Sequence, residues 1–174
     1  MTEVSFFWLA YLIGAIGIIV EWRSYVLYDA NAFRRWSAAG AVLWGLMYLL
    51  LGAWTAAITM SCTAARTLVS GLLTSAARKH FIAALFVLTF VGMTILSWQG
   101  PVSLLPGFAV INTTLALFYL ENRSMRIVMI ASSLAWIIND IIWHAWPALL
   151  AESVAVLLNW RTISTMDAEG RNTR

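Results

Sequence analysis

Five polar residues share one face of an otherwise apolar stretch: Thr59, Thr63, Arg66, Ser70 and Thr74, at i, i+4, i+7, i+11 and i+15. That spacing belongs to a single helical face. In a chain this apolar, each such group needs a reason. The hydroxyls would line a wet cavity or bond back to carbonyls of their own helix. Arg66 has three readings: it holds an anionic substrate, pairs with a buried carboxylate, or snorkels to the cytoplasmic surface.

A second set lies further along the chain. Asp140 and Glu152 fall at similar depth, with Asn139 and His144 beside them. Two neighbouring carboxylates resist double ionisation, which suits proton coupling. The plainer reading is solvation near the outer mouth, with His144 or Arg66 as a structural partner. Asp140 and His144 at i, i+4, joined by Glu152, are spaced as metal ligands can be. No further ligand accompanies them, and no metal is expected. Asn159 stands seven residues beyond Glu152 on the same face, placed to line a cavity or to bond a neighbouring helix. Trp44 and Trp136 sit mid-helix and either flank a ligand or anchor packing. Asn112 begins Asn112-Thr113-Thr114 inside an apolar run, where a glycosylation reading has no meaning, and it counts among the substrate contacts. The substrate-binding candidates are therefore Arg66, Thr63, Asn159, Trp44, Trp136 and Asn112, and the proton-coupling candidates are Asp140 and Glu152. No nucleophile–base pair, phosphate loop, HExxH or CxxC is present, so neither an enzyme nor a cofactor is expected.

The elements that carry these groups are membrane helices. The chain has 174 residues, 61% hydrophobic and 11% charged, with a mean hydropathy of +0.81. A soluble domain carries roughly twice that charged fraction. No polar block is long enough for a separate soluble domain. The N-terminus lacks the basic segment of a signal peptide, so the first apolar run is expected to remain as a membrane helix. The single Cys62 allows no intrachain disulfide.

Apolar runs fall at roughly 4–20, 36–54, 56–75, 80–98, 102–120, 127–146 and 147–163. A span takes about 20 residues at about 1.5 Å each. The 40 residues from Trp36 to Ser75 therefore fold back near Gly52-Ala53-Trp54-Thr55. The stretch from Arg126 to Arg161 folds back near His144-Ala145-Trp146-Pro147, where Pro147 suits the first turn of a new helix. Ten of the eleven basic residues sit at alternate helix ends: Arg23, Arg34 and Arg35; Arg78 and Lys79; Arg123 and Arg126; Arg161, Arg171 and Arg174. The eleventh is Arg66. This pattern predicts seven transmembrane helices with the N-terminus outside and the C-terminus cytoplasmic. It also accounts for the net charge of +3 without nucleic acid as a partner. The partners expected are the lipid bilayer and a small-molecule solute, with homo-oligomerisation left open.

The two fold-back points, LGAWTA and WHAWPA, lie 92 residues apart. Sliding the chain by 92 aligns Arg34–Cys62 with Arg126–Val154 without gaps. Seven of 29 positions match: Arg34/Arg126, Ala39/Ala131, Trp44/Trp136, Ala53/Ala145, Trp54/Trp146, Ala56/Ala148 and Ser61/Ser153. Composition alone would give roughly two or three. The same overlay sets Gly14 opposite Pro106. Helices 1–3 thus resemble helices 5–7, with helix 4 between them, which makes the halves parallel. The expected division is 1–79 for the first three-helix repeat, 80–100 for the linker helix, 101–163 for the second repeat and 164–174 for a cytoplasmic tail, frayed over its polar end Asp167–Arg174.

A 3+1+3 chain of this orientation resembles the SWEET/PQ-loop architecture. More closely, the chain resembles the YgjV family of bacterial inner-membrane proteins. The residues behind this are Ala65-Arg66-Thr67, Leu104-Leu105-Pro106-Gly107, Met125-Arg126-Ile127-Val128-Met129, Trp136-Ile137-Ile138-Asn139-Asp140, and Glu152 through Asn159. The resemblance implies an inner-membrane location and, by analogy of fold, a small-solute carrier. In SWEET-like carriers an Asn in the third helix of each triplet lines the cavity. Asn159 takes that place in the second half, and Thr63 is its nearest counterpart in the first. Helix 1 has no Pro-Gln pair and Pro106 is followed by Gly107, so sugar transport is not implied. The carrier reading expects a central polar cavity faced by Arg66, Asn159, Glu152 and Asp140. The alternative is a non-transporting receptor or assembly partner, with a packed centre and a contact surface on the 21–36 loop at Tyr25, Tyr28, Arg34 and Arg35.

Overall fold

In the computed structural model the described residues are 3–25, 30–70, 76–120 and 122–172. They form seven α-helices: α1 (Glu3–Tyr25), α2 (Ala30–Leu50), α3 (Trp54–Ser70), α4 (Ala76–Leu96), α5 (Leu104–Tyr119), α6 (Asn122–Ile142) and α7 (Trp146–Asn172). A single 3-10 turn, Pro101–Ser103, leads into α5. Thr74 and Tyr28 lie outside the described residues, as do the side chains of Ser70 and Tyr25.

Four stretches are each long and apolar enough to cross a bilayer: Phe6–Arg23, Ala77–Leu96, Pro101–Tyr119 and Arg123–Ile142. The outside of the molecule is apolar as well. Ile19, Phe81, Leu88, Leu96 and Leu157 are all exposed, a surface for lipid rather than water. The interior is lined by small residues such as Ala10, Ala53, Ala56, Ala83, Ala109 and Ala145. Small residues let helix backbones approach where lipid offers no hydrophobic drive to association.

Two differences from the sequence expectation concern length. α1 runs through Glu21, Trp22 and Arg23 to Tyr25 instead of ending near residue 20. The polar end from Asp167, expected to fray, continues α7 to Asn172. Met166, Ala168 and Glu169 are good helix formers and no proline interrupts them.

Packing follows chain order within each half. α2 lies between α1 and α3, and α6 lies between α5 and α7. Between the halves, α1 meets α7 and α3 meets α5, while α4 packs on α5 and, to a smaller extent, on α3. Shifting α1–α3 onto α5–α7 converts the first cross-contact into the second.

The two hairpin turns repeat bond for bond. Ala53 N–H reaches the Tyr48 carbonyl at 2.9 Å and Gly52 N–H reaches Leu49 at 3.2 Å. Ninety-two residues on, Ala145 N–H reaches Asp140 at 2.8 Å and His144 N–H reaches Ile141 at 3.4 Å. Both are Schellman caps, which place one residue in the left-handed region to close the helix. In the first turn that residue is Gly52, with φ 79°; in the second it is His144, with φ 53°. A side chain there is strained by roughly 1 kcal/mol. His144→Gly is therefore expected to raise stability by about 0.5 kcal/mol, since the gain is partly offset by glycine's freedom in the unfolded chain. Thermal unfolding in one detergent would show it; a lower melting temperature for the variant would instead mean that the His144–Trp146 ring contact at 5.6 Å outweighs the strain.

Gly14 is the tightest point between halves. A Cβ there would stand 2.7 Å from Met47 Sδ and 2.7 Å from Pro147 Cβ. Only glycine lets α1 approach both α2 and the first turn of α7.

Candidate functional site

α2 and α6 bring their equivalent faces together at the centre. Tyr48 and Asp140 are 92 residues apart, so they occupy the same position in the two repeats. The Tyr48 hydroxyl donates to Asp140 Oδ1 at 2.5 Å. Both side chains are buried, Asp140 completely. Asn139 Nδ2 donates to the same oxygen at 3.4 Å, while Asp140 Oδ2 has no partner among the described residues. Trp136, one turn before Asp140, stacks on Tyr48 with ring centroids 5.6 Å apart. Trp44, its repeat equivalent, donates Nε1–H to Glu21 Oε2 of α1 at 3.0 Å. Glu152 of α7 is half-buried and hydrogen-bonds the Ser133 side chain of α6.

The two proton-coupling candidates lie on adjacent helices, Asp140 on α6 and Glu152 on α7. Neither has a basic partner among the described residues. The Asp140 carboxylate is held by a tyrosine and an asparagine, with no cation beside it among the described residues. His144 is not part of this cluster. It is exposed on the turn between α6 and α7, and among the described residues no three His, Cys, Asp or Glu side chains gather as a metal site.

Trp44 and Trp136 are both buried, at 7% and 4% exposure. Trp136 covers Tyr48 itself. The middle of the bundle at this level is filled by rings rather than open, where the carrier reading expected a cavity. At the end of the bundle that carries the two hairpin turns lies a notch too tight for a water molecule, lined by Thr55, Gln99, Ser103, Asn139 and Trp143 among others. Asn139 forms part of its lining and bonds Asp140. Gln99 braces this end by taking Trp54 N–H at 2.7 Å and donating to the Gly52 carbonyl at 2.9 Å.

The other candidates fall into separate clusters. Arg66 of α3 is 6% exposed. It donates from Nη1 to Thr114 Oγ1 at 2.5 Å, Val110 O at 3.3 Å and Thr113 Oγ1 at 3.4 Å, all on α5. Phe90 of α4 lies under its guanidinium carbon, 5.7 Å from the ring centroid. Arg66 does not snorkel, and among the described residues it pairs with no carboxylate. Thr59 and Thr63 bond back to Thr55 and Thr59 carbonyls at 2.8 and 2.9 Å, the structural option for hydroxyls on this face. Asn159 accepts from Arg126 Nη1 at 2.9 Å and donates to Ala155 O at 2.9 Å. It joins α7 to α6, the interhelical option. Asn112 is half-buried on α5.

Tyr48, Glu21 and Ser133 were not candidates from sequence. Tyr48 had a signal: the 92-residue overlay sets it on Asp140. Glu21 and Ser133 had none beyond their helices.

A family model described as a bacterial inner membrane protein, Imp-YgjV, matches residues 8–169. The Inner membrane protein YgjV of Escherichia coli strain K12 is 27% identical over 153 residues, covering 88% of this chain and 81% of that one. No solved structure matches. The family match spans nearly all of the chain and agrees with its several apolar crossing helices and lipid-facing exterior: this is a multi-pass bacterial inner-membrane protein belonging to the YgjV family.

Proposed function

We propose that this protein is a small-solute carrier, with seven spans in a SWEET-like 3+1+3 arrangement, the N-terminus outside and the C-terminus in the cytoplasm. The observation that carries the reading is the Tyr48–Asp140 bond. It joins equivalent positions of two like-oriented halves through a buried carboxylate that has no cation of its own. Two halves hinged on a protonatable contact are the parts an alternating carrier needs, since protonation weakens the contact and the halves can then rock. In this reading Asp140 and Glu152 couple the movement to protons, and Arg66 serves the solute.

The filled centre favours a second reading, a receptor or assembly partner whose core stays shut. Cysteine labelling separates the two. In a Cys62→Ser background, Trp54→Cys and Trp146→Cys place thiols on the two outer turns, and Asn139→Cys places one beside Asp140. Membrane-impermeant maleimide applied to intact spheroplasts is expected to label both turns rapidly and residue 139 more slowly as the centre opens. Labelled turns with an inert residue 139 would favour the shut receptor. Turns protected from outside would reverse the orientation.

A further inference from the structure

We infer that Arg66 holds an oxyanion, a carboxylate or a phosphate, on the Nε–Nη2 edge of its guanidinium. Its choice as the carrier's solute rests on the function proposed above. All three hydrogen bonds of Arg66 leave from Nη1, to Val110, Thr113 and Thr114. Nη2 makes none, and Nε is buried without a partner. The remaining pair of parallel N–H groups is the fork that takes a carboxylate or phosphate in two bonds.

The charge argument points the same way. A guanidinium does not deprotonate in proteins, and a buried charge without an opposite one is strongly disfavoured. The acceptors on α5 are two hydroxyls and a carbonyl, all neutral. Among the described residues no carboxylate reaches Arg66. Thr114 and Phe90 fix the guanidinium from one side and one face, so the free edge is held in place rather than left to wander. Such preorganisation is how a site recognises an anion instead of merely attracting one. Nε is covered in this packed arrangement, as a carrier's site is when closed between openings.

The test uses the full-length protein, delipidated in a neutral maltoside detergent and followed by thermal unfolding through its tryptophans. Acetate, succinate and inorganic phosphate are titrated at constant ionic strength against chloride. Phosphatidylglycerol in mixed micelles forms a separate arm. At least one oxyanion is expected to raise the melting temperature where chloride does not. Arg66→Lys should weaken that binding, and Arg66→Gln should weaken it about 10- to 100-fold, the loss of a charge-assisted pair. A response to the soluble ions assigns the edge to a solute; a response to the lipid alone assigns it to a headgroup phosphate. Equal responses of wild type and Arg66→Gln, or no wild-type response beyond chloride in any arm, would overturn the inference. Should Arg66→Gln not fold, the wild-type titrations and Arg66→Lys decide it alone. Oxyanion binding without any flux contradicts the carrier reading and leaves this site standing. Undiminished flux through Arg66→Gln does the reverse.

Discussion

Tyr48→Ala is expected to lower stability by about 4 kcal/mol, the usual loss for truncating a buried aromatic ring. Three effects act together. The ring's volume is lost from a site that is 2% exposed, and in a lipid-embedded protein packing is the main source of cohesion. Trp136 loses its stacking partner at 5.6 Å, and Asp140 loses the donor at 2.5 Å, leaving Asn139 at 3.4 Å as its remaining side-chain bond. For a chain of this length about 1 kcal/mol shifts the melting temperature by roughly 2–4 °C. The expected fall is therefore on the order of 10 °C. Tyr48→Phe isolates the hydroxyl and should account for about 1.5 kcal/mol of it. A Tyr48→Ala protein that melts within a degree of wild type would mean that the two halves do not depend on this contact.

Gly14→Val is expected to be the most damaging single change at the contact between α1 and the other half. Its new carbons would fall within 2.7 Å of Met47 Sδ and Pro147 Cβ. Met47 is flexible and can turn aside. Pro147 is a rigid ring in the first turn of α7 and cannot. Overpacking of this kind destabilises by about 3 kcal/mol where the backbone has to shift. Gly92→Ala is the control, because nothing lies within 4 Å of a Cβ there; helix propensity alone should make it neutral or slightly stabilising. Pro147→Gly, which removes the proline Cβ, should recover part of the loss in Gly14→Val through a double-mutant cycle. If Gly14→Val and Gly92→Ala melt alike, α1 does not pack on α7 as described.

The sequence made the helices and their turns readable because each rests on local physics. Runs of about 20 apolar residues, arginines at alternate ends and a glycine or proline at each fold-back act within a few residues. The repeated Ala-Trp pairs marked both Schellman turns, although nothing in His144 announces that it adopts a glycine's backbone angle. Asp140 and Glu152 were legible in the sequence as residues of adjacent helices because both count a few residues from one turn. The partners of Arg66 were not, because Thr113, Thr114 and Phe90 reach it from two other helices. Their choice depends on how α3, α4 and α5 pack, and spacing along one helix carries no information about that. The same limit explains Asn159. Its type and place suited a cavity, but an arginine 33 residues away claimed it.

The central claim is that the Tyr48–Asp140 contact is the protonatable hinge of a carrier. The most direct measurement is solute-induced proton movement in proteoliposomes, with a pH-sensitive dye inside and solutes added outside in pools of organic acids, amino acids and nucleosides. The wild-type protein is expected to change the internal pH with at least one pool, and Asp140→Asn, equally well folded, to lose the response at least tenfold. A wild-type protein that leaves the dye unmoved by every pool, or an Asp140→Asn variant as active as wild type, would contradict the account.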